Sequence, residues 1–138
     1  MAKHFRSLTI RDIQKETPDC ISVSFHIPEE WAEEFRFKAG QNITIRTQML
    51  GEELRRSYSI CAAPHENELR IAIKKAPGGR FSTYALESLK AAQVLEVLPP
   101  TGNFQLNVDE KNNNHYIAFA AGSGITPVIS LIKTILKE

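Results

Sequence analysis

The feature that most constrains the fold is a series of short alternating segments in the first 75 residues. Ile21, Val23, Phe25 and Ile27 occupy every second position, and Pro28 ends the run. This period of two predicts a half-buried strand. Comparable segments at 5–15, 42–47, 54–60 and 69–73 are separated by turn signals. Six or so short strands at this spacing favour a closed or nearly closed antiparallel barrel.

The period changes after residue 80. Residues 81–90 lack Gly and Pro and predict a helix, with Ser82 or Thr83 near its N-cap. Residues 94–97 predict one more strand, closed by the turn at 99–102, and the polar run 109–114 is interpreted as a linker. Residues 116–121 then predict a short apolar strand that leads into Gly122-Ser123-Gly124 and a final helix.

A strand, a glycine-rich turn and a helix in this order open a nucleotide-binding α/β domain. One such unit cannot bury both faces of its sheet. We therefore interpret residues 1–108 as a complete barrel domain and residues 115–138 as the truncated start of an α/β domain.

Composition excludes several functional classes. The chain has 138 residues and a formal net charge of +1, so no field of one sign indicates a nucleic-acid partner. No stretch approaches the roughly 20 apolar residues of a membrane helix. Cys20 and Cys61 are far apart in sequence, which gives neither a disulfide framework nor a metal-binding spacing. We expect a reduced, cytoplasmic protein without a metal site and without a membrane or nucleic-acid partner.

The segment 55–60 offers the first binding motif. On a strand, Arg56 and Tyr58 share one face, so a forked guanidinium donor for phosphate lies beside an aromatic ring that can pack on a planar heterocycle. Ser59 could donate to such a ring only if the strand bends or ends there. The competing interpretation, a surface arginine and a wall tyrosine, is favoured for this motif taken alone.

Two glycine-rich turns offer further motifs. Gly78-Gly79 precedes the predicted helix, whose free N–H groups and positive dipole end suit a pyrophosphate, with Arg80 adding charge. Lys74-Lys75, just upstream, is interpreted as a solvated pair. The turn at 122–127 has the strand-to-helix context that a phosphate-binding turn requires. Each turn is also explained by an ordinary tight turn beside a helix, and no Ser/His/Asp or Cys/His set accompanies these motifs.

The order and spacing of the motifs are more specific than any one of them. Together the set resembles the ferredoxin–NADP reductase family of flavoproteins, and in particular the reductase components of bacterial oxygenases that degrade aromatic compounds such as phenylacetate. The resemblance runs from about residue 5 to the last residue. The motifs that carry it are Arg56-Ser57-Tyr58-Ser59, Gly79-Arg80-Phe81-Ser82, Pro100-Thr101-Gly102-Asn103-Phe104 and Gly122-Ser123-Gly124-Ile125-Thr126-Pro127.

The resemblance implies a mainly β fold, a six-stranded antiparallel Greek-key barrel with one capping helix, followed by the first βα unit of an α/β domain. It implies FAD as cofactor, with FMN the less favoured choice, and NAD(P)H as the substrate of the full-length protein. It also implies that electrons pass to an oxygenase component through an iron–sulfur domain or ferredoxin, whose 2Fe-2S centre lies outside this chain.

The resemblance also implies roles for particular residues. Tyr58 packs on the isoalloxazine and Ser59 lies near its redox-active edge, which makes these two the candidate catalytic residues. The flavin-binding set is Arg56, Tyr58, Ser59, Ile73, Gly79, Arg80, Phe81, Ser82 and Thr126. The nicotinamide-side set is Gly122, Ser123, Gly124 and Thr126.

Two departures from the family pattern stand out. The turn at 39–42 has Ala39 and Asn42 where the family usually has a proline and an aromatic, and most of the nicotinamide domain is missing. This fragment alone is therefore not expected to sustain full turnover. A non-catalytic barrel that docks in a redox complex is the alternative function, and an oligonucleotide-binding barrel is disfavoured by the charge.

Overall fold

A computed structural model describes residues 3–105, 111 and 113–137. Within these residues the chain forms six strands and two α-helices. The strands are β1 (Arg6–Thr17), β2 (Cys20–His26), β3 (Asn42–Met49), β4 (Glu52–Ser59), β5 (Leu69–Lys74) and β6 (Val94–Thr101), and the helices are α1 (Arg80–Ser88) and α2 (Ile125–Lys137). Neither of these helices has the length and apolar character needed to cross a bilayer.

The six strands form one antiparallel sheet in the order β4-β3-β6-β1-β2-β5. Strand β6 returns from the far end of the sequence to lie between β3 and β1. The two edge strands meet just beyond β4, where Ile60 bridges Ile71 and the Cys61 N–H donates to the Arg70 carbonyl at 2.9 Å. The sheet is thus nearly closed, and the predicted six-stranded antiparallel fold is confirmed.

The apolar residues that alternate in the sequence are the ones whose side chains fill the inside of the barrel. Val23 and Phe25 of β2 are 0% and 2% exposed, and Ile43 and Ile45 of β3 are equally buried. Helix α1 closes one end of the barrel with Phe81 among its buried residues. The core therefore contains mostly β-branched and aromatic side chains, which suit a pleated inner surface.

Three local predictions need correction. Helix α1 begins after Gly79 and has no side-chain cap, so neither Ser82 nor Thr83 is its N-cap. Ser82 lies within the first turn, where its buried hydroxyl accepts a hydrogen bond from the Ala76 N–H at 3.0 Å. Strand β6 continues through Pro99 to Thr101 instead of stopping at the prolines. It can do so because β1 begins opposite Val97, so no neighbour on that side needs their missing N–H groups.

The third correction concerns residues 116–121, which do not form a strand. Ile117 and Phe119 are 82% and 91% exposed, and among the described residues no strand of the sheet pairs with this segment. A strand is stabilised by hydrogen bonds to a neighbour, and an apolar sequence cannot replace them. Most of the predicted linker at 109–114 lies outside the described residues.

Candidate functional site

The end of β4 and the turn before α2 form the two walls of one groove. Ser57, Tyr58 and Ser59 line one wall, and Gly122, Ser123 and Thr126 belong to the other. The groove has a volume of about 300 Å³, which lies at the lower end of the range for ligand sites, roughly 300–1,000 Å³. Residues that the sequence places more than sixty positions apart thus meet here.

Three consecutive residues can line one groove because β4 ends there. A continuing strand would turn alternate side chains to opposite faces. Here the Ile60 N–H donates to the Gln41 carbonyl at 2.9 Å, and the next residue already pairs with β5. The predicted ending of the strand at this point is confirmed, and it lets Tyr58 and Ser59 face the groove together.

Tyr58 is held from behind by the capping helix. Its ring lies 6.1 Å from that of Phe81, at an interplanar angle of 46°. Burial raises the pKa of the Tyr58 hydroxyl above its ordinary value, and the Arg56 charge lowers it in part. The hydroxyl is therefore protonated at neutral pH, available as a donor beside a ring face that an aromatic ligand can contact.

Arg56 lies beside the groove without lining it. Its side chain is exposed, and its guanidinium donates to the Arg55 carbonyl at 2.8 Å. Its electrostatic effect on the Tyr58 hydroxyl agrees with the predicted placement of both residues on one face. The guanidinium has donors left over for an anion at the mouth of the groove.

The turn before α1 presents backbone without side-chain cover. Gly78 has a φ of +71°, and a Cβ on Gly79 would lie 2.6 Å from the Ser82 hydroxyl. No side chain caps the helix N-terminus, so its first N–H groups have no side-chain acceptor. Glycine is required here both for the turn and for the close approach of Ser82.

Arg80 is engaged elsewhere. It donates to Glu52 at 2.6 Å and to the Met49 carbonyl at 3.2 Å, both at the β3–β4 hairpin. The ion pair is exposed, with side chains 39% and 67% accessible. Such a pair is weak enough to be exchanged for a better anion.

The remaining predicted residues occupy different positions. Ile73 and Phe81 are buried in the core, at 0% and 1% exposure. Gly124 belongs to the turn before α2, but it does not line the groove. The Thr126 hydroxyl donates to the Ser123 carbonyl at 2.9 Å and so closes that turn on itself.

Cys20, Ala72 and Lys74 also line the groove but were not in the predicted site. Lys74 and Cys20 are paired across β5 and β2. The alternation of β5 puts Ala72 and Lys74 on its outward face, so the pairing of these two strands was the signal that could have revealed them. Lys74 contributes a cation that the prediction assigned to solvent.

The turn at 39–42 is fixed by contacts with residues 102–104, which directly follow β6. Gly40 has a φ of +96°, and a Cβ there would lie 1.8 Å from the Phe104 carbonyl oxygen. The Gln41 amide donates to the Gly102 carbonyl at 3.3 Å. These contacts hold the turn in place.

The fold and the site together are a nearly closed antiparallel barrel with a groove between the end of β4 and a glycine-rich turn, an architecture that suits a nucleotide ligand. Comparison with known proteins is consistent with such a ligand. A profile described as "Oxidoreductase FAD-binding domain" matches residues 7–106. The chain belongs to this family.

Two curated relatives illustrate the likeness. The chain is 41% identical over 133 residues to one of the subunits of 1,2-phenylacetyl-CoA epoxidase from Escherichia coli (strain K12), covering 96% of this chain and 37% of that protein. It is 33% identical over 134 residues to the ferredoxin reductase component of 3-ketosteroid-9-alpha-monooxygenase from Rhodococcus rhodochrous, covering 95% and 37%. The chain thus spans little more than a third of these relatives.

Solved structures show the same fold. A cytochrome P450 reductase from Amycolatopsis superposes with a TM-score of 0.80 at 24% identity, covering 99% of this chain and 41% of that one. Phthalate dioxygenase reductase superposes with a TM-score of 0.70 at 28% identity, covering 94% and 39%. That protein's structure is described as a modular one for electron transfer from pyridine nucleotides to [2Fe-2S].

The groove walls, together with the cations and the helix N-terminus outside them, fit a flavin nucleotide. A planar ring system needs an aromatic face with polar groups at its edge, which Tyr58 and Ser59 supply. A pyrophosphate needs cations and free N–H groups, which Arg56, Arg80 and the uncapped start of α1 supply. A Cβ on the neighbouring Gly78 would meet nothing within 4 Å, so this side of the turn is open to a ligand.

Proposed function

We propose that this chain is the flavin-binding portion of an NAD(P)H-dependent oxidoreductase, with FAD held across the barrel between Tyr58 and the start of α1. The observation that carries the proposal is the groove itself. It places Tyr58 and Ser59 of β4 opposite the turn at 122–126. This arrangement suits a flavin ring on the β4 side that meets a nicotinamide nucleotide on the side of the turn.

In this proposal each residue has a physical role. Tyr58 supports the ring, and its protonated hydroxyl donates to the ribityl or phosphate part. Ser59 donates at the ring edge, and Arg56 and Arg80 neutralise the phosphates. The backbone around Ile73, Gly79, Phe81 and Ser82 completes the flavin contacts. Thr126 and the glycines before it face the nicotinamide.

FAD supplies the redox chemistry when bound, because it can accept a hydride from a nicotinamide and release electrons singly. The protein's own part is to bind the ring, orient it and exclude water from its face. Residues 1–108 would form the FAD domain, and 115–138 would begin the NAD(P)H domain. One relative is a ferredoxin reductase component of a monooxygenase, and the structure of phthalate dioxygenase reductase is described as passing electrons to [2Fe-2S]. Both support an iron–sulfur domain or ferredoxin and an oxygenase as the electron acceptors. A reduced, cytoplasmic setting, in which Cys20 and Cys61 stay free, is part of the proposal.

A second candidate function is a non-catalytic docking module. Ile117 and Phe119 are exposed two positions apart, and exposed apolar side chains that lie together are typical of surfaces that another protein covers. This candidate predicts a folded, colourless protein that does not take up flavin.

The test is the absorption spectrum of the purified chain, followed by heat release and chromatography of any chromophore. Flavin bands from released FAD are expected. FMN would keep the family and change the cofactor. A folded protein that stays colourless after incubation with excess FAD would contradict the proposal and favour the docking module.

A further inference from the structure

Helix α2 is fastened to the barrel by a buried hydroxyl. Ser130 is 0% exposed, and its hydroxyl donates to the Ala62 carbonyl at 2.7 Å. A serine inside a helix often bonds back to its own backbone, as Thr134 does by donating to the Ser130 carbonyl at 2.8 Å. Ser130 instead uses its hydroxyl to bind a different element, and the carbonyl it satisfies belongs to a residue that is itself only 2% exposed.

The Ser130–Ala62 hydrogen bond lies close to both walls of the groove. Ala62 lies three residues after Ser59, which is on one wall of the groove. Ser130 lies about one helical turn after Thr126, which is on the other wall. One hydrogen bond therefore joins the two walls close behind the residues that face each other across the groove.

A second contact supports the first. Lys133, on the same side of α2, donates to Glu66 at 3.0 Å. Burial alone would raise the pKa of the Glu66 carboxyl, but hydrogen bonds from Lys133 and the Ala63 N–H outweigh it, so this pKa lies below its usual value. Lys133 is 42% accessible, so the ion pair is the more exposed of the two contacts.

The reactivity of Cys61 indicates whether α2 is in contact with the barrel. It lines a hollow with Ile129 and Lys133 of α2, next to the Ser130–Ala62 bond. Burial raises the pKa of its thiol to about 11. Displacement of α2 would expose this thiol and return its pKa toward the ordinary range.

We propose that Ser130 is a positioning residue that holds the turn at 122–126 at a fixed separation from Tyr58 and Ser59. The importance of this separation for electron transfer rests on the proposed function, whereas the role of Ser130 in holding the two walls together does not. A hydroxyl with no ligand contact thereby sets the width of the groove, through Ala62 on one side and the first turns of α2 on the other.

The test compares Ser130→Ala with Thr134→Ala, which removes a hydroxyl whose hydrogen bond is made within the same helix. Hydrogen exchange of α2 amides and alkylation of Cys61 by iodoacetamide are measured at neutral pH without flavin. Ser130→Ala should raise both rates by about tenfold while exchange in β1, β2 and β6 stays unchanged. Thr134→Ala should leave Cys61 alkylation unchanged.

A further readout uses the flavin. In FAD-loaded protein, Ser130→Ala should alter the visible circular dichroism of the flavin without weakening FAD affinity, since one wall moves and the phosphate contacts do not. If the wild type binds no FAD, the proposed function fails while the exchange result still decides the role of Ser130.

The proposal is overturned if α2 exchange and Cys61 alkylation are unchanged in Ser130→Ala, or if barrel amides accelerate equally. If Ser130→Ala does not fold, the hydroxyl has a general structural role and the proposal is wrong. Lys133→Met offers an independent check by hydrogen exchange alone, because loss of the Lys133 charge also raises the pKa of the Cys61 thiol and slows its alkylation. This variant should raise α2 exchange by a smaller factor than Ser130→Ala, and no change in α2 exchange would count against the proposal.

Discussion

The ring of Tyr58 packs against the ring of Phe81, with centroids 6.1 Å apart. This contact joins the two motifs that the sequence separates by about twenty residues, one at the end of β4 and the other at the start of α1. Phe81 is 1% exposed and fixed in the core, whereas Tyr58 is half-buried and can contact a ligand in the groove. The capping helix thus sets the orientation of the residue proposed to support the flavin.

Phe81→Ala should therefore lower both stability and flavin affinity. Removing a buried phenylalanine costs about 3–5 kcal/mol, and Tyr58 loses its support. Chemical denaturation and FAD titration measure the two effects. Tyr84→Ala is the control, because Tyr84 contacts Phe81 on its other side at 6.4 Å. It should destabilise less and leave FAD affinity unchanged; an equal loss of affinity would show that Tyr58 needs no specific support.

Glu52→Gln should strengthen FAD binding or leave it unchanged. Glu52 holds Arg80 at 2.6 Å in an exposed ion pair, and neutralising it frees the guanidinium for a phosphate. Arg80→Ala should weaken binding with little change in Tm, because the pair is exposed. Isothermal titration with FAD checks both. Weaker binding by Glu52→Gln would mean that the ion pair positions Arg80 instead of competing for it.

Gly40→Ala should destabilise the protein more than Gly51→Ala. Both glycines have positive φ, +96° and +79°, but of the two only Gly40 would bring a Cβ into collision with another residue, at 1.8 Å from the Phe104 carbonyl oxygen. Gly51→Ala should cost about 1 kcal/mol of backbone strain, and Gly40→Ala several times that. Equal losses in urea denaturation would show that the turn at 39–42 can move away from β6.

Alkylation of Cys61 should be slow at neutral pH and rise steeply toward alkaline pH. Burial raises the pKa of this thiol to about 11, so the folded state favours the neutral, unreactive form. The reactive thiolate accumulates only as the pH approaches that value. The rate is measured by mass spectrometry after iodoacetamide treatment, with urea-unfolded protein as reference. A fast rate at neutral pH in folded protein would contradict the raised pKa of this half-buried thiol.

The barrel was predictable because its signal is local. The period of two in β2 and β3 and the turn residues between strands depend only on neighbouring positions, and they indicated the correct architecture. Residues 116–121 were predicted wrongly because an apolar segment becomes a strand only when another strand pairs with it. The N-terminus of α1 was misplaced because the prediction looked for a hydroxyl cap, whereas the N-cap is Gly79, and the Ser82 hydroxyl instead accepts from the Ala76 N–H.

The candidate site was predictable in part. Tyr58, Ser59 and Thr126 meet in the groove as the motif order suggested, whereas Arg56 and Arg80 lie at its margins on partners of their own. Lys74 and Cys20 could not be placed from sequence, because their positions depend on the register between β2 and β5. Local sequence patterns therefore predict strands and helices, whereas the register between paired strands decides which side chains meet in a site.

The most direct test is titration of the purified chain with FAD, comparing wild type with the double variant of Arg56→Ala and Tyr58→Ala. Arg55→Ala is the matched control, since this neighbouring arginine is exposed and pairs with Glu53. Loss of a charge-assisted phosphate contact alone should weaken binding about 10-fold to 100-fold, and the double variant should lose its flavin colour. The control should bind as wild type does. Full flavin occupancy in the double variant would contradict the assignment of this groove as the FAD site.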